Sequence, residues 1–227
     1  MLERLEYLIS KEDLENFTNS NVLLIGVGGV GGSCLEALVR LGLNNITIID
    51  NDVFEISNLN RQILSTRNNI GKSKVKEAIL RAKSINPNIN IIGTETFLNE
   101  ANIDEIEYNK YTYIIDCCDT MTTKIQLIKK SLQYNIKIIS SMGTGNRLDP
   151  TKLKLTNIWD TNYDPVAKTI RQLLRKENIN NKIPVLTSTE QPIKIKSRKP
   201  GSTSLVPNVA GFYIASYVFN DIINNRK

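Results

Sequence analysis

The chain has 227 residues, 41% of them hydrophobic, with a net charge of +6, which bounds it to one sizeable domain, or one domain with an appendage, around a full core. It contains no histidine, which excludes Ser-His-Asp hydrolysis, a His general base and zinc sites of the usual Cys/His spacing. No apolar run approaches membrane-spanning length and the N-terminus is charged throughout, so the sequence predicts a cytoplasmic protein without signal peptide or membrane span.

Residues 1–18 space Leu2, Leu5, Leu8, Ile9, Leu14 and Phe17 as one apolar set, predicting an amphipathic helix or a helix pair. The run "NVLLIG" at 21–26 reads as a buried parallel strand, and a helix is predicted over 33–41. Between them stand five glycines, of which Gly26, Gly28 and Gly31 match G-x-G-x-x-G, with Gly29 and Gly32 beside them. Such a turn lets the backbone approach a ligand, and the helix start behind it offers N–H groups to an anion, so a phosphate belongs there. The next strand, "NITIID", ends at Asp50, about twenty residues on, where a carboxylate meets a ribose hydroxyl.

A long polar stretch follows that strand and carries Asn58, Asn60, Arg61 and Gln62, then Lys72 and Lys74 where a helix over 72–85 begins. Guanidinium and ammonium groups beside a glycine turn suit a triphosphate better than the pyrophosphate of a dinucleotide, which favours ATP and disfavours a nicotinamide-dependent oxidoreductase. Strands at 88–96, 111–116 and 136–142 alternate with a helix at 121–134. The fold class is therefore α/β: a Rossmann-like, mostly parallel sheet with helices on both faces, plus a C-terminal α/β extension. Functional residues should gather at the carboxyl ends of the strands: Gly26 to Gly31, Asp50, Asp116 to Asp119 and Ser141 to Gly145. The cysteines Cys34, Cys117 and Cys118 fall in or beside core elements, as free thiols.

Beyond residue 145 the pattern changes. The sequence predicts a strand at 152–158, a helix with Asp164 as N-cap and Pro165 first, a strand at 183–187, a mobile basic loop, and an apolar helix from Pro207 that packs on the sheet or on a second subunit. Between Arg147 and Lys199 there are twelve Lys or Arg against five Asp or Glu, so the basic excess is local and suits a polyanion such as RNA. The expected division is an ATP-binding domain over 1–145 with its N-terminal helix, and a basic extension over 146–227 packed on the same domain.

The segments "GVGGVG" (26–31), "IIDND" (48–52), "SNLNRQ" (57–62), "GKSKV" (71–75) and "DCCD" (116–119) resemble the ordered motifs of the ubiquitin-activating-enzyme superfamily, whose bacterial members adenylate a carboxylate with ATP. The resemblance implies that Gly26, Gly28, Gly29 and Gly31 line the phosphates and that Asp50 binds the ribose. It implies that Asn58, Arg61 and Lys74 hold the phosphates, and that Asn60, Gln62, Asp116 and Asp119 lie at the nucleotide, Asp119 beside the α-phosphate and Mg2+. Arg4, Arg61, Lys74 and Asp119 become the expected catalytic residues. Arg4, in "RLEYLIS", resembles an arginine that relatives donate across a homodimer into the neighbouring site; only one arginine stands here, where some relatives have two.

Three branches of that superfamily compete. Members that load a protein tail onto their own cysteine need a Cys after residue 118, and this chain has none. Adenylyltransferases for sulfur-carrier proteins often carry paired CxxC motifs, which are missing here. The downstream segments "LDPTKLKLTNIWDTNYDPVAKTIRQLLRK", "STEQPIK" and "GSTSLVPNVAGFYIASYVFNDI" resemble the branch that dehydrates N6-threonylcarbamoyladenosine in tRNA, with one extra glycine after the turn as a departure. That resemblance implies ATP-dependent cyclisation through an adenylated carboxylate, in which the substrate supplies the nucleophile and no enzymic Cys or His is needed. It implies tRNA as partner and gives Arg171, Arg175, Lys194, Lys196, Arg198 and Lys199 to RNA phosphates; it leaves room for a monovalent cation and a sulfur-transfer partner protein. A non-catalytic binding module on the same fold would be expected to have lost Arg61, Lys74 or Asp119, all of which are present.

Overall fold

The computed structural model describes residues 1–197 and 199–224. Seven strands form one sheet in the order β3-β2-β1-β4-β5-β7-β6. β1 (Asn21–Ile25), β2 (Asn45–Ile49), β3 (Asn90–Thr94), β4 (Tyr113–Asp116), β5 (Lys137–Ser141) and β7 (Pro184–Ser188) run parallel, and β6 (Leu153–Asn157) pairs antiparallel with β7. The strands after residue 145 thus extend the same sheet through the β5–β7 pairing, Ser140 opposite Val185 and Ser141 opposite Leu186.

The apolar runs are fully covered strands because helices lie on both faces. On one face α3 (Gly29–Arg40), α4 (Lys74–Ile85) and α7 (Leu205–Ile223) bury Leu35, Leu38, Val75, Ile214 and Val218 against Val22, Leu24 and Ile48. On the other, α5 (Met121–Tyr134) and α6 (Pro165–Lys176) bury Ile125, Ile128, Ile170 and Leu174 against Leu23, Ile114 and Ile138. The N-terminal apolar set forms a pair, α1 (Glu3–Glu6) and α2 (Lys11–Thr18); Phe17 of α2 meets Phe219 of α7 edge-on at 4.8 Å.

Element boundaries differ from expectation where tertiary contact overrides local preference. Helix α3 starts at Gly29 rather than residue 33, because glycine after glycine is held in helical conformation by packing. A methyl on Gly31 would overlap the Gly26 carbonyl oxygen, and one on Gly211 of α7 would strike the α3 backbone at Val30 and Cys34. Helix α7 begins at Leu205, two residues before Pro207, which sits in the first turn where its missing N–H costs nothing. Asp164 caps α6 as expected, accepting from the Val166 and Ala167 amides. All three cysteines are free thiols, and no described helix is long and apolar enough to cross a membrane.

Candidate nucleotide and substrate cleft

Strand order reverses between β1 and β4, and the crevice outside their carboxyl ends is where an open α/β sheet binds ligands. A cleft of about 850 Å³ opens there. One wall is the turn after β1. Gly26 takes φ +84°, and a side chain there would press to 2.9 Å on the Cys117 carbonyl oxygen, so glycine is required both for conformation and for the close pass over β4. The N-cap of α3 is Gly28, which has no capping side chain, leaving the first-turn N–H groups to an anion.

Asp50, at the end of β2, accepts from the Val27 amide at 2.8 Å through one oxygen and from the Asp52 amide at 2.8 Å through the other, fixing the glycine turn as well as facing the cleft. Lys74, at the start of α4, is 5% exposed and meets Asp52 at 2.7 Å. Arg61 donates to the Ser57 carbonyl at 2.5 Å and to Asn60 Oδ1 at 3.1 Å, which holds its guanidinium at the cleft. Asn58 accepts from the Glu55 amide and shapes the 3-10 turn that carries this stretch. Gln62 is buried, lines the cleft, and its Oε1 has no protein partner. Asp119 stands exposed on the loop after β4, also at the cleft. The cradle at Gly28 opens toward Gln62, whose Nε2 is the nearest group at 3.7 Å from a methyl placed there. A glycine-lined cradle, two cations and the Gln62 Nε2 donor fit a nucleotide polyphosphate. Among the described residues no three of His, Cys, Asp or Glu gather to hold a metal.

Several expected site residues stand elsewhere. Asp116 does not line the cleft; it lies beneath the floor, fully buried, and pairs with the equally buried Lys124 at 2.9 Å while accepting from Ser140. Burial pulls the Lys124 ammonium down, but the Asp116 carboxylate overrides that and holds it above the usual lysine range. Gly31 packs inside α3, beneath the glycine turn. Asn60 turns away to donate to the Ser202 carbonyl at 3.0 Å. Arg171 donates to Thr161 and to the Thr161 carbonyl at 3.1 Å, an internal cap, and Arg175 covers the Trp159 ring at 5.5 Å. Arg4 is exposed on α1 and lies outside its own chain's cleft. Lys199 lines the cleft, Lys194 and Lys196 are exposed near it in sequence, and Arg198 lies outside the described residues.

The second wall is one that sequence reasoning only partly named. Gly143 to Arg147 follow β5, and Pro165, Val166, Pro192 and Lys199 to Ser202 line the cleft together with them. Arg147 is fully buried and donates to the Gly143 carbonyl at 2.5 Å and the Tyr163 carbonyl at 3.0 Å, while Asp164 accepts from the Gly143 amide at 3.2 Å. Lys124 was missed, although a lysine among Ile125, Leu127 and Ile128 on a helix face, eight residues after a strand-end aspartate, signals a buried pair.

The family model described as the ThiF family matches residues 3–210. The tRNA threonylcarbamoyladenosine dehydratase of Bacillus subtilis is 37% identical over 239 residues, covering 98% of this chain and 94% of that protein. Among solved structures, Escherichia coli tRNA N6-threonylcarbamoyladenosine dehydratase, TcdA, superposes with a TM-score of 0.93 in its complex with AMP, and 0.92 in its complex with ATP. It is 28% identical, and the match covers 98% of this chain and 93% of that one.

Proposed function

We propose, from the premise that the chain belongs to the ThiF family, that it is an ATP-using enzyme which dehydrates N6-threonylcarbamoyladenosine in tRNA. The observation that carries this reading is the joint one: a relative with that activity in its name aligns along 98% of the chain, and the cleft holds the cradle and cations an ATP needs. The nucleotide lies along Gly26 to Gly29, with Asp50 at the ribose and Arg61, Gln62 and Lys74 at the phosphates. Asp119 is the protein carboxylate that would hold Mg2+, an ion that keeps most of its ligands from phosphate and water and would supply charge neutralisation on the triphosphate.

In the first step a carboxylate oxygen of the threonyl group bonds to the α-phosphorus, and pyrophosphate leaves. In the second the carbamoyl group of the same nucleoside attacks the activated carbon, a ring closes, and AMP leaves. The protein's part is to align carboxylate and phosphate and to stabilise charge as it develops, roles within reach of Arg61, Lys74 and the α3 amides. No enzymic nucleophile is called for. Burial raises the thiols of Cys117 and Cys118 well above the usual range, and neither is poised for attack. Arg4 can serve only a neighbouring copy, so its role as a transferred arginine goes with a homodimer.

The test is release of AMP and pyrophosphate from ATP and Mg2+ with tRNA bearing the modified nucleoside. Release that depends on that tRNA supports the reading. Release that depends instead on a small protein with a Gly-Gly tail would replace it with adenylyl transfer to a sulfur carrier.

A further inference from the structure

Asn146 occupies an unusual place: its φ of 59° is left-handed, and three hydrogen bonds from this one residue reach both arms of the basic segment. Its amide donates to the Gly201 carbonyl at 2.7 Å, its carbonyl accepts from the Ile193 amide at 2.8 Å, and its Oδ1 accepts from the Gly201 amide at 2.6 Å. Pro200 rests on Gly145 so closely that a methyl there would come to 2.9 Å from Pro200 Cβ. Beneath Asn146 the loop is immobilised by buried Arg147 and Asp164, so the residue couples a rigid base to a polar, proline-punctuated segment. Asn60 ties the segment a second time, through the Ser202 carbonyl, to the stretch that carries Arg61.

We propose that Asn146 is a positioning residue for the RNA substrate: it fixes Pro192, Lys199, Pro200, Gly201 and Ser202 as the outer wall of the cleft, so that the modified nucleoside is received between this wall and the glycine turn. The inference rests on the tRNA-modifying reading above. Geometry supports it from both sides, since these five residues line the same cleft as Gly26, Gly28 and Gly29. Lys194 and Lys196, exposed between the two tethered arms, then stand where phosphates flanking the inserted nucleoside pass. The Asn146 bonds reach only Ile193 and Gly201 and not the glycine turn or Arg61, so their loss should be felt by RNA and not by ATP.

Asn146→Gly separates these effects, because glycine keeps the left-handed backbone and both main-chain bonds and loses only the Oδ1 tether. The KM for tRNA should rise about 3- to 10-fold, the worth of one hydrogen bond, with the KM for ATP and kcat at saturating tRNA unchanged. Gly145→Ala, which displaces Pro200 from the other side, should raise the same KM. A readout free of catalysis is tryptic cleavage after Lys194 and Lys196, which should quicken in Asn146→Gly. An active wild type beside an Asn146→Gly variant with unaltered tRNA KM overturns this inference alone, as does a parallel rise in the KM for ATP. A wild type that fails to cyclise the nucleoside overturns the functional reading and the RNA assignment with it.

Discussion

Lys124→Met removes the ammonium from a pair in which both side chains are buried, 2% and 0% exposed. The lysine gives up bonds to Asp116 Oδ2 at 2.9 Å, the Ser141 carbonyl at 2.7 Å and Ser140 Oγ at 3.4 Å. Methionine fills the volume, so the cost is almost wholly that of a buried carboxylate left without its counter-charge, about 3–5 kcal/mol. Asp116 keeps its bonds from Ser140 and from the Cys118 amide, which places the expected loss toward the lower end. At ~3 kcal/mol, and an m-value near 2–3 kcal/mol/M for a chain of this size, the urea midpoint should fall by roughly 1–1.5 M. The double variant Lys124→Met/Asp116→Asn should regain a large part of that loss, because it removes the orphaned charge too. A single variant within about 1 kcal/mol of wild type in urea, or a double variant less stable than the single, would refute a charge-paired floor beneath the cleft.

Lys74→Met should leave stability within ~1 kcal/mol, because its partner Asp52 is 58% exposed and water replaces the ion pair. Turnover should nevertheless drop ~10²-fold, as for loss of one positioned charge donor; thermal melts and AMP release together check both halves. Glu36 is buried, and although burial pushes its carboxyl up, the hydrogen bond from Arg81 and then that from Arg40 outweigh it and hold it below 4.5. Its folded-state value being depressed, its stabilisation is complete above the ordinary carboxylate range and is lost as pH falls below 4.5, a slope that Glu36→Gln should flatten in acid-unfolding curves. Gly31→Ala drives a methyl into the Gly26 carbonyl oxygen and should cost about 3 kcal/mol or more; a wild-type melting temperature would contradict the close pass of α3 over the turn. Replacing Lys194, Lys196 and Lys199 with Ser should lower the slope of log affinity for tRNA against log salt by about 0.7–0.9 for each phosphate deprived of its cation, with ATP affinity constant; an unchanged slope would leave these lysines as ordinary surface.

Periodicity made most of the fold legible, because strands buried on both faces must be continuously apolar and helices between them must carry one apolar stripe. Met121–Tyr134 emerged with the expected bounds, and Asp164 with Pro165 marked the start of α6 through capping chemistry that is local in sequence. The gathering of Gly26, Gly28, Asp50, Arg61 and Lys74 at one cleft was equally legible, since they lie in short motifs whose spacing is set by strand–turn–helix geometry. What sequence could not distinguish was a charged group serving a ligand from the same group serving the fold. Asp116 and Arg171 carry the right chemistry for phosphate or RNA sites, yet they spend it on Lys124 and on the Thr161 carbonyl. The outer wall was legible only in part, at Ser141 to Gly145 and Lys199, for a related reason. Asn146, Ile193 and Gly201 meet across some fifty residues of chain, through tertiary contacts that include the β5–β7 pairing.

The most direct measurement is mass spectrometry of nucleosides from tRNA incubated with the protein, ATP and Mg2+, with AMP counted in the same reaction. The account predicts that N6-threonylcarbamoyladenosine loses the mass of one water, one AMP appearing per nucleoside converted, and that Lys74→Met suppresses both in step. Nucleosides of unchanged mass, under conditions in which the protein demonstrably binds ATP and the modified tRNA, would contradict it.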